Sequence, residues 1–198
     1  HMARSEAKEG KIELRAECDG LFRVRSEKLL AVNTQEDVMI ATRKGSTPVR
    51  KGDKLAGMRV IPLIIEEEKL RAAEAAAGGE PLLELLPYVK KTACIVTTGS
   101  EVKKGIIQDT FTPVVIDKLK TYGIETIATV QSGDGVENVR DAVLAMRERR
   151  PDMILCTGGM SVDPDDNTPG GIRASGARIV TYGAPVLPGA MFLLGYFE

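Results

Sequence analysis

The sequence predicts an α/β protein: a three-layer α/β/α domain with a mostly parallel sheet in the second half of the chain, preceded by a small β-rich domain. Three observations carry this. First, from Thr92 onward nearly all-apolar runs at Ala93–Val96, Ile124–Val130 and Met153–Cys156 alternate with helical patterns. Strands apolar on both faces belong to parallel sheets covered on both sides. Second, before Thr92 short apolar runs follow one another between turn signals, as in a small β domain. Third, 198 residues leave room for one or two compact domains.

In chain order, the N-terminal runs are Lys11–Ala16, Leu21–Val24, Val38–Ala41 and Met58–Ile65. Asp19-Gly20, Gly45-Ser46-Thr47-Pro48 and Lys51-Gly52-Asp53 break them. A helix over 27–32 interrupts the series. Pro62 argues that the Met58–Ile65 run lies at a sheet edge or a strand end. Glu66 to Gly79 opens on acids, fills with alanines and closes on a glycine pair, which predicts a helix matched to its own dipole. Residues 80–91, with Pro81 and Pro87, read as a crossover. The predicted division is therefore 1–65, a helix and linker over 66–91, and 92–198.

In the second half, Val114, Val115, Leu119 and Tyr122 give one helix face, stopped by Gly123. Val136, Val139, Val143, Leu144 and Met146 give another, ending in Arg147–Arg150 before Pro151. This 3.6-residue periodicity lays each helix on a sheet, through right-handed crossovers. The final run, Met191 to Glu198, reads as an apolar strand, an unexpected place for a doubly wound sheet to stop. The α/β domain is expected to be incomplete at its C-terminus.

Composition narrows the chemistry. A net charge of −1 gives no footprint for nucleic acid. No run approaches the roughly 18 apolar residues that span a bilayer, and the N-terminus is polar, so a cytoplasmic protein is expected. The only histidine is His1, beside Met2 in a pair that reads as a cloning remnant. On that reading, Ser-His-Asp triads and imidazole metal sites drop out. Cys18, Cys94 and Cys156 are odd in number and widely spaced. They read as small buried hydrophobes rather than reactive or metal-binding thiols.

Ligands of open parallel sheets bind beyond the carboxyl ends of the strands. Three segments should emerge there. The first, Thr97-Thr98-Gly99-Ser100-Glu101 leading to Asp109, could present hydroxyls and backbone N–H groups to a phosphate, or be an ordinary turn. The second, Ser132-Gly133-Asp134-Gly135, places Asp134 either as a helix N-cap or as a ligand and metal carboxylate. The third runs from Thr157-Gly158-Gly159-Met160-Ser161 through Asp163, Asp165 and Asp166 to Thr168-Pro169. Its glycines could let backbone approach a ligand, and Thr157 and Ser161 could donate to phosphate. Its three aspartates suit Mg²⁺, which binds through one or two carboxylates plus substrate phosphates; a solvated acidic loop is the alternative.

Together these segments resemble the molybdopterin-binding domain shared by molybdopterin adenylyltransferases, molybdenum insertases and gephyrin. Thr98-Gly99-Ser100-Glu101, Asp134 opening a helix, and Thr157-Gly158-Gly159 with Ser161 and Asp166-x-Thr168-Pro169 carry the resemblance over 92–198. It implies a role in molybdenum cofactor biosynthesis, with Asp134 and Asp166 as the functional, Mg²⁺-holding aspartates. It implies that Thr98, Gly99, Ser100, Glu101, Asp109, Thr157, Gly158, Gly159, Ser161 and Thr168 bind molybdopterin, with ATP as a further ligand. Phe111 departs from a frequent asparagine, and Pro188-Gly189 precedes the last strand instead of following it. The whole chain resembles a bacterial group of molybdopterin-binding proteins. Three functions follow as expectations: a transferase performing adenylyl transfer or molybdate insertion; a carrier or sensor contacting a client molybdoenzyme; and a nucleotide-pyrophosphate hydrolase of the competence-damage type, whose third loop also carries Pro-Asp-Asp. Homo-oligomers are expected from the relatives.

Overall fold

A computed structural model describes residues 1–62, 64–103, 105–106, 108–161 and 166–198. They form two compact units, His1–Val89 and Lys90–Glu198.

The first unit holds strands β1 (Met2–Arg4), β2 (Lys11–Ala16), β3 (Gly20–Val24), β4 (Val38–Thr42), β5 (Thr47–Val49), β6 (Lys54–Val60) and β7 (Leu83–Pro87). Its helices are α1 (Ser26–Asn33) and α2 (Glu67–Ala77), packed on each other. Two antiparallel sheets, ordered β1-β2-β6-β4 and β5-β3-β7, enclose a core around Phe22, Leu55, Val49 and Leu85. Full burial of a side chain the size of Phe22 stabilises by about 1.5–3 kcal/mol.

Three expectations change here. The Met58–Ile65 run is a strand only to Val60; the strand begins at Lys54 and lies between β2 and β4, with Pro62 beyond its end. Thr47 and Pro48, read as turn, form β5, where an edge position tolerates the missing proline N–H. Leu83–Pro87, read as crossover, pairs with β3, so the first unit runs to Val89 rather than 65.

The second unit is built on a parallel sheet of β8 (Thr92–Thr98), β9 (Glu125–Ser132) and β10 (Met153–Thr157), in the order β10-β8-β9. A short α3 (Ser100–Lys103) and the longer α4 (Phe111–Thr121) follow β8. Next come α5 (Val136–Glu148), α6 (Thr168–Ala174) and an antiparallel pair, β11 (Arg178–Tyr182) with β12 (Leu193–Tyr196). Cys94 and Val96 point to α5, meeting Val139, Val143 and Met146. Ala93 and Ile95 point the other way, to α4 and Leu119. Helices therefore cover both sheet faces, the three-layer arrangement expected from the sequence. Only β8 is buried on both faces; β9 alternates exposed and half-buried positions, because Ala128 and Val130 pack on the α5 side while its other face, with Ile127, Thr129 and Gln131, is exposed. At the opposite end of the sheet, Asp152 Oδ2 accepts the N–H groups of Lys91 and Thr92 and so ties the start of β10 to β8. Phe197 packs into the α5 side of the core, with the Arg147 guanidinium 4.3 Å above its ring.

Candidate functional site

The chain passes from β8 out to β9, then crosses back to β10 on the other side of β8. That reversal is a topological switch point, and the loop leaving the central strand is flanked by the other two.

The first and second loops are joined by reciprocal bonds. Ser100 N–H donates to Asp134 Oδ2 at 3.0 Å, and Asp134 N–H donates to Ser100 Oγ at 3.3 Å. Gly99 N–H adds a bond to the Ser132 carbonyl at 3.1 Å. The N-cap position of α5 is Gly135; Asp134, one residue earlier, reaches the first loop instead. Glu101 is exposed on α3.

The third loop is seated on β8 and α6. Thr168 Oγ1 donates to the Gly158 carbonyl at 2.8 Å and lies 2.9 Å from Thr98 Oγ1, which is also 3.1 Å from the Thr157 carbonyl. Thr98 and Thr168 are buried, so their hydroxyls lock loop to scaffold. Gly158 and Gly159 have φ of 89° and 55°. A Cβ at Gly158 would lie 2.4 Å from the Thr98 carbonyl oxygen, and one at Gly159 2.7 Å from Thr168 Oγ1. The sequence assigned these glycines to close approach by a ligand; the structure gives them a second reason, close approach of the protein's own backbone. Further along, Ser161 N–H donates to Asp166 Oδ2 at 3.1 Å. Asp163 and Asp165, part of the predicted Mg²⁺-binding cluster, lie outside the described residues.

Asp109 stands slightly apart. It accepts the Phe111 and Thr112 N–H groups at 3.0 and 2.9 Å and the Thr112 hydroxyl at 2.5 Å. Burial pushes its carboxyl up, but these bonds together outweigh it and hold the group below the ordinary carboxylate range. Thr112 Oγ1 is 2.7 Å from Thr97 Oγ1, which accepts from Thr157 Oγ1 at 3.5 Å. An ionised Asp109 can only accept, so this row of hydroxyls is ordered with its protons pointing toward the carboxylate. Thr112 was not singled out in the sequence, and Thr97 was named only as the start of the first loop. The signal was there: a second threonine beside Thr98, and a threonine three residues after Asp109, the spacing at which a carboxylate caps a helix.

Residues 94–196 match the family model described as a probable molybdopterin binding domain. The chain belongs to this family. The match takes in all three loops of the molybdopterin-binding domain and leaves out the whole of the first unit. A CinA-like protein of Pseudothermotoga lettingae is 35% identical over 79 residues, 39% of this chain and 19% of that protein. The chain thus spans about a fifth of the length of the curated relatives it matches. Among solved structures, the molybdopterin biosynthesis enzyme MoaB of Thermus thermophilus is similar over 42% of this chain and 54% of its own, at 25% identity and a TM-score of 0.41. The molybdopterin biosynthesis MoeA protein of Pyrococcus horikoshii is similar over 93% of this chain and 60% of its own, at 14% identity and a TM-score of 0.46. Among the described residues no helix is long and apolar enough to cross a membrane, and no three His, Cys, Asp or Glu side chains gather into a metal-binding group.

Proposed function

We propose that this chain binds molybdopterin through its terminal phosphate, in the crevice formed by residues 98–101, 132–135, 157–161 and 166–168, and catalyses adenylyl transfer to it from ATP in the cytoplasm. The observation that carries the reading is the convergence of Ser100 with Asp134, and of Ser161 with Asp166, on loops leaving the same end of one parallel sheet. Backbone N–H groups and hydroxyls there suit phosphate oxygens.

In this reaction a phosphate oxygen of the pterin bonds to the α-phosphorus of ATP, the bond to the bridging oxygen breaks, and pyrophosphate leaves. Such transfer depends on positioning and charge neutralisation. The Gly158-Gly159 turn, locked by Thr98 and Thr168, sets the position of the third loop. The Ser100–Asp134 pair holds the first loop against the second. Asp134 and Asp166 offer the hard oxygen donors that Mg²⁺ takes, with phosphate and water completing its shell. When bound, the ion would neutralise charge on the phosphates.

The CinA-like matches favour a second reading of the same crevice, hydrolysis of a nucleotide pyrophosphate, which also suits Pro164-Asp165-Asp166.

Titration of purified molybdopterin, followed by pterin fluorescence, tests both in wild type and Asp166→Asn, with and without Mg-ATP. Saturable binding, weakened about tenfold or more by the substitution and coupled to ATP, is expected. Binding indifferent to ATP would replace transfer by a carrier role. AMP release from ADP-ribose without pterin binding would favour the hydrolase.

A further inference from the structure

The first unit carries a cleft that the pterin reading does not use. It has a volume of about 360 Å³ and lies along β4 and β6, within the roughly 300–1,000 Å³ of small-molecule sites. Strand register builds it. Lys11, Arg59 and Met39 pair across three strands and share one face; Glu13, Gly57 and Ala41 form the next row. Gly57 leaves the middle of that row open: a Cβ there would meet no atom within 4 Å. Met39, Ala41 and Leu55 add apolar lining.

Every charged residue lining the cleft is a cation: Lys11, Arg43, Lys54 and Arg59. Three are held by carboxylates, one of them Glu13 in the same row as Gly57. Glu13 takes Lys11 at 2.8 Å and Lys54 at 2.5 Å, and Asp53 takes Arg43 at 2.6 Å. The lysines draw the Glu13 carboxyl down to about 2, so it stays charged and keeps them in place. Arg59 is the lining cation with no ion pair among the described residues; its Nε reaches only the Val60 carbonyl, at 3.5 Å.

The shape of the occupant follows from the neighbouring edge. β4 is an edge strand, where a peptide could otherwise add as a further strand. Asn33 prevents this at mid-strand: its side-chain amide donates to the Ile40 carbonyl at 2.9 Å and accepts the Ile40 N–H at 2.8 Å. A compact ligand lying on the face is left.

We infer that this cleft is a binding site for a small organic anion, its apolar body resting on Met39, Ala41 and Gly57 and its carboxylate, sulfonate or phosphate on Arg59. The site is independent of the crevice in the second unit.

Amide NMR of the ¹⁵N-labelled full chain, titrated with naphthalene-2-sulfonate and separately with neutral 2-naphthalenemethanol, tests it. Saturable shifts confined to 11–13, 39–43 and 54–59 are expected for the anion, with the alcohol about tenfold weaker. Arg59→Gln should weaken the anion by a similar factor, and Gly57→Leu, which fills open space, should abolish its binding while the remaining spectrum stays folded. Equal binding of the alcohol, shifts centred elsewhere, undiminished binding by Gly57→Leu, or no saturable shift at millimolar anion would each overturn the inference.

Discussion

At the scale of single residues, the third loop offers a controlled comparison. Gly158 and Gly176 have almost the same φ, 89° and 88°, but only Gly158 faces a wall, since a Cβ at Gly176 meets nothing within 4 Å. Gly176→Ala should lose about 1 kcal/mol for the left-handed backbone alone. Gly158→Ala should lose that and a further 1–3 kcal/mol or so from the clash with Thr98. Urea unfolding of both variants measures the difference; equal losses would show that the loop is not seated as described. Asp109 makes a pH prediction. Its folded carboxyl lies below its unfolded value of about 3.9, so its stabilising contribution is complete above that value and fades as pH falls through the folded one. The stability gap between wild type and Asp109→Asn should be constant near neutrality and narrow below about pH 4. Burial raises the thiols of Cys94 and Cys156, the latter to about 12. Both should resist iodoacetamide at pH 8 until the chain is unfolded, as mass spectrometry would report. At this scale the sequence revealed polar residue types but not their partners. Ser100 and Asp134 are 34 positions apart, and nothing local announces that they bond to each other.

At the scale of elements, α6 is seated by small residues. A Cβ at Gly171 would lie 2.5 Å from Val139 Cβ and 3.0 Å from the Val136 carbonyl oxygen, both on α5. Gly171→Ala should push the helix outward, carrying Thr168 from the Gly158 carbonyl. A loss of about 1–3 kcal/mol in thermal unfolding is expected, with weaker pterin fluorescence titration; an unchanged midpoint would show that α5 gives way instead. Elements with strong periodicity were legible. The 3.6-residue stripes of α4 and α5 and the buried run of β8 required only local pattern. β5 and β7 were not legible, because Pro48, Pro81 and Pro87 signal turns, and only pairing with β3 makes strands of Thr47–Val49 and Leu83–Pro87. The run now assigned to β6 was misplaced toward its apolar end because Lys54 and Gly57 carry no strand signal of their own; β2 and β4 on either side supply it.

At the scale of the whole molecule, each unit has its own core, one cluster around Phe22 and two on the faces of β8. Residues 90–198 made as a separate piece should therefore fold and keep the pterin affinity of the full chain within about twofold. Circular dichroism and the fluorescence titration check this; a piece that folds but does not bind would place part of the site in residues 1–89. The reversal of strand order has a thermodynamic consequence. Segments some seventy positions apart meet only when β9 and β10 have both docked against β8, so no fragment of the sheet possesses the crevice. A ligand held there distinguishes the finished unit from every partly assembled one. It stabilises by RT ln(1 + [L]/Kd), acting on completion of the sheet.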